Sequence, residues 1–285
     1  MMSQTWLVTG ASSGLGTAIT ASALRAGNKV LAAARNPEKA SLENPQIEAL
    51  GGKWVNLDVT QTDTARHVET IIHENGGLID VVVNNAGYSL VGSIEDMSED
   101  EIECQLSTNF KGPIRVLKGV LPFMRAQRSG TIVNVSSSAG VQGFPACGIY
   151  AGSKFALEGL SEALATELLP FGIRVLIVEP GIFRTKFLSA FVTPQAGMTE
   201  DYAGTPVETM IHAFRTSNGN QQGNPVKAAA RILDVVSGTG MGVGKEKLLR
   251  LPLGPDCHDL YQAKCDSLKE NLVETKEIAY STNFE

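Results

Sequence analysis

Two residue types at one spacing suggest chemistry. Tyr150 and Lys154 stand four residues apart in a stretch, 150–169, that is rich in Ala, Leu and Glu and reads as a helix, so their side chains share one face. A phenol with an ordinary pKa near ~10 gives up its proton poorly at neutral pH, and a neighbouring ammonium favours the phenolate. Tyr150 is then a usable general acid or base. Ser137 ends the apolar run Thr131-Ile132-Val133-Asn134-Val135, which reads as a buried strand, and its hydroxyl could hold a substrate oxygen beside the phenol. The Tyr–Lys spacing alone arises by chance in roughly one chain in five, as an ordinary pair on a helix surface. The elements around it must carry the argument.

Thr5-Trp6-Leu7-Val8-Thr9 reads as a strand and runs into Gly10-Ala11-Ser12-Ser13-Gly14-Leu15-Gly16, followed by a helical composition. Strand, glycine turn and helix make a unit in which the backbone approaches a pyrophosphate and the first N–H groups of the helix receive its charge. The spacing here is Gly-x-x-x-Gly-x-Gly, not the commoner Gly-x-Gly-x-x-Gly, so a glycine-rich turn without a ligand remains the competing reading. A second strand, 29–34, ends at Ala34-Arg35 where a nucleotide ribose would lie. An acid there selects NAD, whereas Arg35 accommodates the 2′-phosphate of NADP or is simply a solvated charge. After a third strand, 53–57, Asp58-Val59 follows; Asp58 could face an adenine or help to start the helix expected over 62–74. The apolar run 79–83 is of the kind buried on both faces of a parallel sheet, and Asn84-Asn85-Ala86-Gly87 closes it with small residues suited to packing beneath a cofactor.

Residues 98–127 contain a long helix, with Ser98 and Glu101 spaced as a capping box. Asn109 lies inside it before Gly112-Pro113, where a disturbed backbone ladder would free groups to bind water. A sixth strand, 173–179, ends at Pro180-Gly181-Ile182. Alternating β and α segments from 5 to 181 require crossover helices and hence a doubly wound parallel sheet. Beyond Thr185 that rhythm breaks. Residues 186–224 hold Phe187, Phe191, Met198, Tyr202, Met210, Ile211 and Phe214 among Pro and Gly, and read as a mobile lid over a bulky apolar substrate; a satellite core or a subunit contact is the bland alternative. Asn224-Pro225 starts a helix through about 236, 247–251 reads as a last strand, and 255–285 as a terminal helix and tail.

The 285 residues are 43% hydrophobic and 19% charged, a globular composition. A net charge of −6 gives no global attraction to nucleic acid or an anionic membrane, which favours a small-molecule partner. With no apolar run near ~18 residues, and a strand starting at about Thr5, a cytoplasmic protein is expected. Cys104, Cys147, Cys257 and Cys265 lack Cys-x-x-Cys spacing and the four His are scattered, so neither a metal site nor a disulfide framework is indicated.

Together, Thr9-Gly10-x-x-x-Gly14-x-Gly16, Asn84-Asn85-Ala86-Gly87, Asn109, Ser137, Tyr150-x-x-x-Lys154 and Pro180-Gly181-x-x-x-Thr185 resemble the short-chain dehydrogenase/reductase family over residues 5 to about 185. The resemblance implies an α/β Rossmann fold of about seven strands in a single domain, 1–285, with the 186–224 insertion and the C-terminal extension added. It implies NADP(H) as cofactor, with Tyr150 as proton donor or acceptor and Ser137 orienting the carbonyl. Lys154 would hold the nicotinamide ribose, Asn109 would position a relay water, and Thr185 would hold the carboxamide. The family's second basic NADP marker is absent, because Ser13 stands there, so Arg35 alone selects the phosphate. The implied reaction is reduction of a ketone or aldehyde, or the reverse oxidation. An epimerase or dehydratase use of the same cofactor, and a non-catalytic NADP-binding regulator, are the alternatives. Dimers through the two long helices, 98–127 and 150–169, are common among family members, and a homodimer is expected.

Overall fold

The computed structural model describes residues 3–217 and 219–284; Asn218 of the expected lid and Glu285 of the expected tail lie outside the described residues. Seven strands form one sheet: β1 (Thr5–Thr9), β2 (Lys29–Ala34), β3 (Lys53–Asn56), β4 (Val81–Asn84), β5 (Gly130–Val135), β6 (Ile173–Pro180) and β7 (Arg250–Leu253). Their order is β3-β2-β1-β4-β5-β6-β7 and every pairing is parallel. The helices are α1 (Gly14–Arg25), α2 (Pro37–Glu43), α3 (Pro45–Ala49), α4 (Thr64–Glu74), α5 (Glu99–Leu106), α6 (Gly112–Gln127), α7 (Gly148–Glu167), α8 (Pro206–Thr216), α9 (Pro225–Ser237), α10 (Pro255–Glu274) and α11 (Lys276–Tyr280).

Alternation along the strands splits the core in two. Trp6, Val8, Val81, Val83, Val133 and Val135 point to one face and pack against α1 and α9, where Ile19, Leu24, Ile232 and Val235 meet them. Leu7, Val82 and Ile132 point to the other, against Val68 and Ile72 of α4, Val116 and Val120 of α6, and Leu164 of α7. Strands covered on both faces must be apolar at nearly every position, which is why they read as unbroken hydrophobic runs. The strand order reverses between β1 and β4, and ligands of open α/β sheets sit at the carboxyl ends of the strands at such a point.

Several boundaries differ from the sequence reading, for local reasons. Asp63, not Asp58, occupies the N-cap position of α4; the Asp58 carboxylate instead accepts from the N–H and hydroxyl of Thr60 at 2.9 and 2.7 Å. The long helix expected over 98–127 is two helices joined by a π-helical turn, Ser107–Lys111, ahead of Gly112-Pro113. Its Ser98–Glu101 capping box is present. The last strand falls at Arg250–Leu253, where β6 offers a partner, later than 247–251. Segment 186–224, read from the sequence as a lid, contains α8, capped by Thr205 with Pro206 at its start. Among the described residues no helix is long and apolar enough to cross a membrane.

Candidate active site

The glycine turn lies at the switch point. Gly10 has φ +63, and a Cβ there would stand 2.8 Å from the Ala86 Cα, so glycine is required twice over. Asn85 ties this turn to the end of β4: its Nδ2 donates to the carbonyls of Thr9 at 3.0 Å and Gly10 at 3.2 Å. The Thr9 hydroxyl accepts the N–H groups of Asn85 and Ala86 at 3.0 and 3.1 Å. Ser13 stands at the N-cap of α1 without a side-chain cap, so the first N–H groups of that helix are open to an anion.

A cleft of about 1030 Å³ runs from this turn across the carboxyl ends of the strands. Of the residues singled out in the sequence, Gly10, Ser12, Ser13, Gly14, Leu15, Arg35, Asp58, Val59, Asn85, Ala86 and Gly87 line it, from the segments after the first four strands. Ser137, Tyr150, Lys154, Pro180, Gly181, Ile182 and Thr185 line it too, from the segment after β5, from α7, and from the end of β6 and the segment after it. Gly16 does not line the cleft. A Cβ at that position would meet the Gly10 carbonyl at 2.3 Å, so its smallness serves helix–strand packing. Asn109 is also set back, 1% exposed in the π turn, where its Nδ2 donates to the Tyr88 carbonyl at 2.9 Å and to the Ser153 hydroxyl at 3.2 Å. Arg35 is exposed on the cleft rim and pairs with no acid among the described residues. A nicotinamide dinucleotide fits this set: open helix N–H groups for the pyrophosphate, a free guanidinium near the adenosine end, and polar groups at the far end.

Tyr150 and Lys154 are arranged differently from the simple picture of touching charges. Burial pushes the Tyr150 phenol up to about 12, and a hydrogen bond with Ser137 opposes the rise. The Lys154 Nζ donates to the Val135 carbonyl at 2.9 Å and stands 5.8 Å from the centroid of the Tyr150 ring. Burial lowers this ammonium to about 8, opposed by Glu158. The expectation that Lys154 draws the phenol down is therefore corrected: desolvation dominates both groups, and the group that opposes the rise of the phenol is Ser137. The Ser137 oxygen is fixed by the Ala139 N–H at 3.1 Å.

At the substrate end the apolar segment after Thr185 divides its labour. Phe187, Met210 and Phe214 line the cleft, and Phe187 packs on Tyr150 with ring centroids 5.8 Å apart. Phe191, Met198 and Ile211 form a satellite core with Val91 and Cys147, against which Met210 and Phe214 also pack, the Phe214 ring 5.5 Å from that of Phe191. Sequence reasoning missed Tyr88, Cys104, Ser107 and Phe144, which also line the cleft. Tyr88 could have been found as the residue following Asn84-Asn85-Ala86-Gly87; the others carry no sequence signal.

Comparison with known proteins decides the family. The short chain dehydrogenase sequence family matches residues 4–196. This chain belongs to the short-chain dehydrogenase family. Its relatives include an oxidoreductase, claN, of Passalora fulva, 51% identical over 74% of this chain and 95% of that protein. A 3-ketodihydrosphingosine reductase of Bacteroides thetaiotaomicron is 38% identical over 96% of both chains. A short-chain dehydrogenase from Streptomyces avermitilis has the same fold, with a TM-score of 0.86 and 36% identity over 99% of this chain and 100% of that one. Solved neighbours in the fold include one with NAD and another with NADP. As a short-chain dehydrogenase the protein belongs to a family of oxidoreductases.

Proposed function

We propose that this short-chain dehydrogenase reduces the carbonyl of a bulky, largely apolar small molecule with NADPH, Tyr150 donating the proton. The observation that carries the reading is a shared cleft: Tyr150 and Ser137 line it together with the glycine turn and with Phe144, Phe187, Met210 and Phe214, and the Phe187 ring packs on that of Tyr150. The coenzyme, when bound, supplies the hydride. The glycine turn and the open end of α1 would hold its pyrophosphate, Arg35 its 2′-phosphate, and Lys154 and Thr185 its nicotinamide half. Ser137 orients the carbonyl oxygen against the phenol. A phenol raised toward 12 stays protonated at neutral pH, which is the donating form and suits reduction. Asn109, buried at the π turn and bonded to the Tyr88 carbonyl, would serve as the relay group for this pair. Aromatic and Met side chains beside the reacting carbon exclude water and reward apolar length, and the full-length relative that reduces 3-ketodihydrosphingosine agrees with such a substrate.

The test is NADPH consumption across a panel of ketones. Long-chain and polycyclic ketones should exceed small polar ones, since each further buried CH₂ contributes ~0.8 kcal/mol. Tyr150→Phe should lose ~100- to 10,000-fold in rate while still binding NADPH. Best activity on a small sugar, or a variant that keeps a substantial part of the rate with chemistry limiting, would overturn the reading.

A further inference from the structure

A buried charge cluster lies behind the catalytic pair, and the mechanism above does not use it. Glu158 sits one turn after Lys154 on α7 and is 5% exposed. Its Oε1 accepts the Ser136 hydroxyl at 2.6 Å, and its Oε2 is bonded by Arg250 of β7. Arg250 also bonds Glu179 of β6 at 2.7 Å and reaches Glu162 of α7. The Tyr261 hydroxyl, from α10, donates to Glu179 at 3.1 Å. Gly140 makes the room, because a Cβ there would stand 2.2 Å from the Glu158 Oε1. The carboxylate is thus wedged under the turn that presents Ser137: Ser136 precedes that residue, and Gly140 ends the 3₁₀ turn Ser138–Gly140, whose Ala139 N–H fixes its hydroxyl.

The charges facing Glu158 define its task. They are Arg250 on β7, Glu179 on β6, Glu162 and Lys154 on its own helix, with the Tyr261 phenol and the buried Cys257 thiol on α10. Three carboxylates share one guanidinium, so one of them takes up a proton most readily. Burial and the Glu158 charge push Glu179 up to about 7; burial also raises Glu158, opposed by the bonds from Ser136 and Arg250. The Ser136 hydroxyl and the Arg250 guanidinium are the groups that favour the carboxylate form of Glu158. Among the described residues the Lys154 ammonium has only a neutral carbonyl as hydrogen-bond partner, and a buried ammonium without a counter-charge tends to lose its proton.

We propose that Glu158 is a positioning residue for the reaction: clamped by Arg250, its carboxylate keeps Lys154 an ammonium and pins the turn that carries Ser137. The proposal rests on the reading of Tyr150 and Lys154 as the acid–base pair. Its test uses the free protein and acetic anhydride, which acylates only the neutral amine, with the Lys154 peptide followed by mass spectrometry across pH. The labelling midpoint should lie near 8 in the wild type. It should fall by roughly one unit in Glu158→Gln, as expected on losing a nearby opposite charge. Glu162→Gln should leave it in place, because that carboxylate shares Arg250 but is not bonded to Ser136. The alkaline limb of the kcat–pH profile should move with the midpoint. An unshifted midpoint in folded Glu158→Gln overturns the proposal. Should the Gln variant fail to fold, Glu158→Met removes the same charge at similar volume, with Arg250 still paired to Glu179 and Glu162, and the same two outcomes decide. Absence of turnover on every ketone, with the midpoint shifted, defeats the functional reading and not this one; turnover with an unshifted midpoint does the reverse.

Discussion

Asp256, in the first turn of α10, accepts the backbone N–H of Ile182 at 2.6 Å. This bond fastens the C-terminal extension to the loop between β6 and Thr185, at the end of the cleft where the nicotinamide half of the coenzyme would lie. Asp256→Ala should release the loop, weakening NADPH binding about fivefold and lowering stability by about 1 kcal/mol, the usual worth of one hydrogen bond. Isothermal titration and thermal melting check this. An unchanged affinity with a lowered melting temperature would mean that the bond serves the fold alone.

Cofactor choice is predicted to rest on Arg35. Its guanidinium is exposed at the cleft rim, where Asp58 feels its charge but no ion pair holds it among the described residues, and a charge-assisted contact to a 2′-phosphate is worth roughly 1.5–3 kcal/mol, or about ten- to a hundredfold in affinity. Arg35→Ala should lose that factor for NADPH and nothing for NADH. Equal losses for both, or a wild-type preference for NADH, would refute the assignment.

Stability should depend on pH in two windows of opposite sign. Glu179 is raised to about 7 by burial, so between its unfolded value near 4.5 and pH 7 the native state holds the proton that the unfolded state has lost, and stability falls as pH rises. Lys154 is lowered from 10.5 to about 8, so between pH 8 and 10.5 the unfolded state binds more protons and this group's contribution rises with pH. Melting temperatures of wild type and Glu179→Gln, measured through both windows, test the first effect. The fall between about pH 5 and 7 should flatten in the variant.

Proteolysis should read the proposed lid. Its middle is tied to the body: Val192 exchanges backbone bonds with Ser89 and Val91 at 2.9 and 2.8 Å, the Gln195 N–H donates to Glu101 at 2.8 Å, and the Thr199 hydroxyl donates to Asp96 at 2.6 Å. Cuts in the free protein should therefore fall on its flanks, at 186–190 and 203–205, and slow when NADPH and a long-chain ketone are added. Cleavage within 191–199, or no protection by ligands, would count against a lid that closes on substrate.

The sequence by itself determined the doubly wound sheet and the motifs at its carboxyl ends. Strands buried on both faces must be apolar throughout, a phosphate turn needs glycine where a Cβ would strike Ala86, and a shared helix face needs a spacing of four, as at Tyr150 and Lys154. Each constraint acts within a few residues and so leaves a local mark. Only the tertiary structure decided how that pair is poised. The four-residue spacing implies a phenol drawn down by an ammonium, whereas burial, set by everything packed around the helix, pushes Tyr150 up and Lys154 down. Tertiary packing also decided that Phe187, Met210 and Phe214 line the cleft, that Phe191, Met198 and Ile211 do not, and that Met210 and Phe214 join the cleft wall to the satellite core behind it. Arg250 lies 92 positions from Glu158, and Asp256 lies 74 from Ile182. No periodicity spans such distances, because β7 and α10 meet those partners only after the whole sheet has formed.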